Sequence, residues 1–225
     1  MSNMYGNHKK QDKLGPLLYH GSRDGLDGEI RPISRTKCEF GSGFYISQDV
    51  NAAMAVVCTS QCPVIYTVRI DFDKIGSDKC YRLTGKDWIY TVVAHRNKVP
   101  GFAENPDVQK VLDEISAYDI LIGETVDDRI GPAVKAFENG LLTDEGLLHC
   151  LNAGRGNLQV VAKTEKACRN TVILSEHDLT DGEYMAAREW SASMCDKGRE
   201  VLTEAKCDFA NKGSYISELV TVNES

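Results

Sequence analysis

At 225 residues and 24.9 kDa, the chain suffices for one well-buried domain with an appendage. Its hydrophobic fraction of 42% and charged fraction of 26% are ordinary for a globular protein. The net charge of −7 disfavours tight binding to a phosphate backbone, where Lys and Arg supply most of the affinity, although a local basic patch stays open.

In chain order, residues 1–15 are polar and read as a flexible start with no apolar signal segment. Leu17–His20 reads as a short strand, and Gly21 to about Glu39 as a glycine- and charge-rich loop. Gly43–Ser47 is the next strand, and Asp49 is placed to cap a helix running to Val57. Val64–Asp71, opened by Pro63, is the clearest strand, being β-branched and aromatic. Asp87–Asn97 and Pro106–Ala117 carry apolar residues at helical spacing. Asp119–Gly123 reads as a buried strand followed by the acids Glu124, Asp127 and Asp128. Pro132–Asn139 is helical with Gly140 at its C-terminal turn, and Thr143 caps Asp144–Leu151. Strands follow at Asn157–Lys163 and Thr171–Leu174, around a helical turn at Glu165–Cys168. Tyr184–Lys206 is a long charged helix, and the last residues read as frayed. Short strands and helices without βαβ regularity indicate an α+β fold. The boundaries are 1–15, a domain over 16–177, and a helical extension over 178–225.

The eight cysteines, Cys38, Cys58, Cys62, Cys80, Cys150, Cys168, Cys195 and Cys207, are scattered and read as reduced thiols of a cytosolic protein. Cys58 and Cys62 lack a second pair at zinc-finger spacing, so no metal site is expected. No apolar run approaches the ~20 residues of a membrane span.

Two glycine-marked strand ends carry the chemistry: Leu17-Leu18-Tyr19-His20-Gly21-Ser22 and Phe40-Gly41-Ser42-Gly43-Phe44-Tyr45-Ile46-Ser47. Glycines allow a tight turn or a close approach to a ligand. Side by side, His20 would offer a directional hydrogen bond and Tyr45 a flat face for a heteroaromatic ring. Against this stand structural readings: His20 as a satisfied strand-end histidine, Tyr45 as a core residue beside Phe44, and Gln159 as a surface strand residue. Glu124, Asp127 and Asp128 could be a solvated acidic turn, Arg96 a helix-end arginine favoured by the dipole, and His149 a core residue in its apolar run.

The order of these segments resembles the ADP-ribosyltransferase clan, in the branch of diphtheria toxin and the poly(ADP-ribose) polymerases. His20 and Tyr45 match the first two members of its histidine, tyrosine and glutamate signature. Further support comes from Asp87-Trp88, Arg96-Asn97, Tyr118–Gly123 with Asp127-Asp128, and Leu158-Gln159 followed by Lys163–Ala167. Together these are closest to a bacterial domain family of unassigned function, over roughly residues 17–175. The third position departs from the signature: the natural register of Asn157–Val161 puts Gln159 there, a residue found in some bacterial relatives.

The resemblance implies an ADP-ribosyltransferase-like split antiparallel β core with surrounding helices, and NAD as co-substrate. His20 would donate to the adenosine ribose, and Gly21 would hold the nicotinamide carboxamide through its backbone. Ser22 would reach a ribose or carboxamide oxygen, Tyr45 would stack on nicotinamide, and Arg96 would reach the pyrophosphate. Gln159 would accept from the ribose 2′-hydroxyl without supplying charge, and Asp128, Asp127 or Glu124 could provide the missing carboxylate. The arginine-directed branch lacks its motifs here, and the RNA 2′-phosphotransferases lack their arginine cluster. The expected activity is mono-ADP-ribosyl transfer to a macromolecule, a protein ahead of a nucleic acid, because glutamine disfavours chain elongation. A bacterial or phage toxin or effector role, acting in the cytoplasm or in a target cell's cytoplasm and subject to an inhibitory partner, follows by analogy alone. The alternative is a weak or inactive NAD-binding interaction module on the same fold.

Overall fold

β-branched and aromatic segments form seven strands that join in one sheet in the computed structural model, which describes residues 16–34, 38–153 and 156–220. The elements in chain order are β1 (Leu18–Ser22), β2 (Phe44–Ser47), α1 (Val50–Val57), β3 (Val64–Ile70), α2 (Phe72–Ile75), β4 (Cys80–Arg82), α3 (Gly85–Arg96) and α4 (Pro106–Ser116). They continue as β5 (Ile120–Glu124), α5 (Gly131–Glu138), α6 (Asp144–Asn152), β6 (Leu158–Ala162), α7 (Glu165–Arg169), β7 (Thr171–Asp178) and α8 (Asp181–Asp208). The strand order is β4-β5-β6-β2-β1-β3-β7, and every neighbouring pair is antiparallel except the parallel β4/β5 pair. The architecture is therefore α+β, with a mixed sheet and eight α-helices among the described residues.

Local chemistry explains most boundaries. Asp49 accepts from the Asn51 amide, and Thr143 accepts from the Gly146 amide, so both cap the helices expected of them. Gly140 follows α5 with φ of +69°, as a residue ending a helix in the left-handed region should. Three elements depart from expectation. The one-turn α2 and three-residue β4 are too short to carry a periodic signal. β7 continues to Asp178, four residues past its apolar start. Its polar half is exposed and is held by backbone pairing with β3.

The sheet separates two apolar layers. On one face, Leu121 and Val161 pack with Phe40 and with Trp88, Ile89, Val92, Val134, Phe137 and Leu147 of the helices. The other face joins Leu18, Phe44, Ile46, Tyr66, Val68, Ile70, Val160 and Ala162 to Ile75 and Ala167. A small third cluster ties α1 to α8 through Met54, Val57, Ile65 and Ala187.

The C-terminal helix is thus part of the packed body. α8 lies against α1, α5 and α6 and buries Ala187, Gly198 and Ala205. A Cβ at Gly198 would run into the Arg129 carbonyl oxygen, so glycine permits that close approach. Asp144 carries the tail further, accepting from the Ser214 amide at 2.8 Å. The flexible start expected over 1–15 and the last five residues of the frayed end lie outside the described residues. Among those described, no helix is long and apolar enough to cross a membrane.

Candidate functional site

β1 treats its two neighbours differently. It pairs with β3 over five residues, from Leu18↔Val68 to Ser22↔Val64, but meets β2 only at Tyr19↔Ser47. β2 pairs over four residues with β6 on its other side. Beyond Tyr19 the strands part, and a cavity of about 950 Å³ lies there. All seven residues expected at a site line it: His20, Gly21, Ser22, Tyr45, Arg96, Asp128 and Gln159.

Strand pleating sends their side chains to different faces. Tyr45 and Gln159 share a face, because Tyr45 pairs with Val161 and Ser47 with Gln159. His20 leaves the opposite face and packs on Phe44 at 4.2 Å between ring centroids. Residues of both faces line the cavity.

The His20 Nδ1 donates to the Tyr45 carbonyl oxygen at 2.7 Å. A carbonyl can only accept, so in the neutral ring Nε2 is an acceptor. Burial lowers the pKa of His20 below its ordinary value, partly offset by this bond, which favours the neutral ring. The neutral ring therefore leaves Nε2 able only to accept, whereas the resemblance implied a donor. Ser22 Oγ donates to the Gly25 carbonyl at 2.6 Å. Packing alone accounts for glycine at 21, since a Cβ would run into the Ala53 carbonyl and the Val57 methyls of α1.

Tyr45 is anchored at its hydroxyl, which accepts from the Phe40 amide at 2.9 Å and donates to the Gly41 carbonyl at 2.7 Å. Burial pushes its pKa far up. The ring therefore braces the loop before β2. Gly41 has φ of +81° there, and a Cβ would stand 2.6 Å from His95 Nε2.

Gln159 is 6% exposed, not a surface residue. Its Nε2 donates to Glu39 at 2.8 Å, and the same carboxylate oxygen accepts from the Val126 amide at 3.4 Å. Burial raises the pKa of Glu39, against the lowering effects of these two bonds and of Arg96.

The acidic turn after β5 divides by role. Glu124 pairs with Arg129 at 2.8 Å. Asp127 accepts from the amides of Arg129 and Ile130 and from Asn157 Nδ2. Asp128 is exposed and accepts from Ser191 of α8. Of these three, Asp127 and Asp128 line the cavity. Arg96 Nε meets Glu138 Oε1 at 2.6 Å, with a second contact at 3.3 Å, so much of its fork is committed to a carboxylate. His149 is half-buried with its ring 4.9 Å from Phe209, at the edge of the core.

Sequence reasoning missed Glu39, and also Trp190 and Cys195 of α8, which close part of the cavity. Glu39 stands directly before Phe40-Gly41, but one acid in a charged loop has no periodicity to mark it. Trp190 and Cys195 lie in a helix whose docking could not be read from its own pattern.

The fold and site define an α+β protein with a ligand-sized cleft at a break in its sheet. The chain belongs to the family described as "Protein of unknown function (DUF3990)", whose model matches residues 17–172. No curated protein and no solved structure matches it.

Proposed function

We propose that the protein is an NAD-dependent mono-ADP-ribosyltransferase acting on a macromolecule. The observation that carries this reading is convergence: the seven residues singled out on five separate segments line one cavity. Its volume of about 950 Å³ is within the roughly 300–1,000 Å³ of small-molecule sites. We read the parting of β1 from β2 as the split of an ADP-ribosyltransferase-like core, with NAD as co-substrate.

In such a reaction the bond between the nicotinamide-ribose C1′ and the ring nitrogen breaks, and its electron pair leaves with nicotinamide. The ribose gains oxocarbenium character, as in glycoside cleavage. An acceptor heteroatom then bonds to C1′ and loses its proton to solvent or a base. Here His20 Nε2 would accept from a ribose hydroxyl, and the Gln159 amide oxygen would accept from the 2′-hydroxyl beside C1′. The Tyr45 ring, immobilised at its hydroxyl, would offer a flat face, and a fixed surface loses little freedom on binding. Ser22, Gly21 and Arg96 would orient the remaining polar groups of NAD. The acceptor would be a protein ahead of a nucleic acid, in a toxin- or effector-like role.

The test incubates the protein with NAD labelled in its adenylate half and a cell extract. Mass spectrometry then searches for ADP-ribose adducts, while free nicotinamide is measured alongside. Adducts that require the protein support the reading. NAD binding without nicotinamide release would favour the inactive binding module, and no binding at millimolar NAD would end both.

A further inference from the structure

We propose that Glu39 is a positioning residue of this cleft, fixing the Gln159 side chain and supplying from the loop the carboxylate that the strand lacks. The proposal rests on the NAD reading above.

A buried glutamine amide can point either way unless its partner distinguishes nitrogen from oxygen. An ionised carboxylate only accepts, so the 2.8 Å bond from Gln159 Nε2 to Glu39 sets the orientation. Oε1 is then the end left for a hydroxyl donor. Three strands hold Glu39 in place. Tyr45 of β2 binds the next two residues, Phe40 and Gly41, through its hydroxyl. Phe40 is fully buried over Gly123 of β5, where a Cβ would come within 2.8 Å of its ring. Gln159 of β6 and the Val126 amide bind the carboxylate itself.

No ion pair to Glu39 forms among the described residues. Arg96, whose charge acts on it, is bonded to Glu138 instead. Desolvating a half-buried carboxylate that has no ion pair opposes folding. Such a group is useful in a site where positive charge appears only as the reaction proceeds. Nicotinamide departure generates that charge on the ribose. An ionised Glu39 then polarises the Gln159 amide and makes its oxygen a stronger acceptor.

The groups facing Glu39 are Gln159 from β6, Val126 and Asp127 from the turn after β5, Arg96 from the end of α3, Tyr45 from β2, and the adjacent Cys38. Burial first, and Asp127 last, raise its proton affinity, while its two hydrogen bonds and Arg96 lower it. Protonation releases the amide orientation, so turnover acquires an acid limb that belongs to Glu39.

The experiment uses the full chain in two arms. In the first, glutamine side-chain nitrogens are labelled, and the Gln159 NH₂ signal is assigned by its loss in Q159A. The wild-type signal is expected to move with pH, and the movement to vanish in E39Q. In the second, steady-state nicotinamide release from NAD is measured. E39Q is expected to lower kcat by roughly tenfold or more with KM little changed, and to lose the acid limb. The exchange E39Q/Q159E restores the pair with its polarity reversed and recovers part of kcat. A pH-independent Gln159 signal in wild type, or E39Q matching wild type in kcat and pH profile, overturns the proposal. If wild type releases no nicotinamide, the NAD reading fails and the catalytic role of Glu39 with it. The first arm still reports whether the pair forms.

Discussion

The two edges of β1 differ in how far they are paired. Toward β3 the strand is zipped for its whole length, with side chains such as Val68 fully buried against it. Toward β2 it holds one register pair and then gives way to a cavity lined by His20, Tyr45 and Gln159. Backbone groups not used in a ladder must find other partners, and an open seam offers them to a ligand. On the reading proposed above, the closed edge supplies stability and the open edge the ligand contacts, a division that mutations can test one edge at a time.

The largest effect is expected at the open edge. His20→Ala removes the Nε2 acceptor and the ring stacked on Phe44. NAD turnover should fall by roughly 100-fold, about 2.7 kcal/mol of transition-state stabilisation. Nicotinamide release measured beside the unfolding curve separates this from misfolding. A variant that keeps wild-type turnover would remove His20 from the site.

Substitutions of similar cost on the two edges should then diverge. Gly21→Ala pushes a methyl into the Ala53 carbonyl of α1 and should cost about 1–3 kcal/mol of stability. Because α1 also lines the cavity through Ala52, Ala53 and Val56, NAD binding should weaken as well. Val68→Ala on the closed edge should cost about 2 kcal/mol and leave binding unchanged. Denaturant melts paired with NAD titrations measure both. Equal loss of binding in the two variants would mean that the edges are not functionally distinct.

A smaller effect is expected at the brace between the open edge and its loop. Tyr45→Phe leaves the Phe40 amide and the Gly41 carbonyl without the partner they share. The expected loss is about 1–2 kcal/mol, with kcat for nicotinamide release falling because Glu39 and Gln159 lose a fixed reference. A variant with unchanged stability would show that the loop holds without the hydroxyl.

The same contrast explains what the sequence made legible. Strong local signals survived folding: the β-branched run of β3, the caps at Asp49 and Thr143, the glycine after α5. That the candidate residues on strand ends share one cavity was readable because a strand's register carries its side chains to a definite face. Two kinds of information were not local. Glu39 becomes significant only because Tyr45 and Gln159, 6 and 120 residues away, grip its loop. Trp190 and Cys195 reach the cavity because Gly198 lets α8 dock closely, and a charged helix does not announce which face another helix will cover. Polar β7 residues join the sheet through backbone bonds, which any side chain permits.

The subtlest test of the comparison is a pH dependence. Burial holds the pKa values of His20 and His95 below the ordinary histidine value. The unfolded chain takes up protons below about 6.5, where the native rings stay neutral. Between the lowered values and about 6.5 the unfolded state binds more protons, so stability rises with pH through that window. Glu39 acts with the opposite sign, because its raised pKa keeps a proton on the native state that the unfolded chain has already released. His20→Gln deletes one rising contribution while keeping a donor for the Tyr45 carbonyl, so the stability profile should flatten between about pH 5 and 7. Denaturant midpoints collected across that range measure the slope. A profile superimposable on wild type would mean that His20 titrates as freely folded as unfolded, with its ring in open water rather than at a desolvated seam.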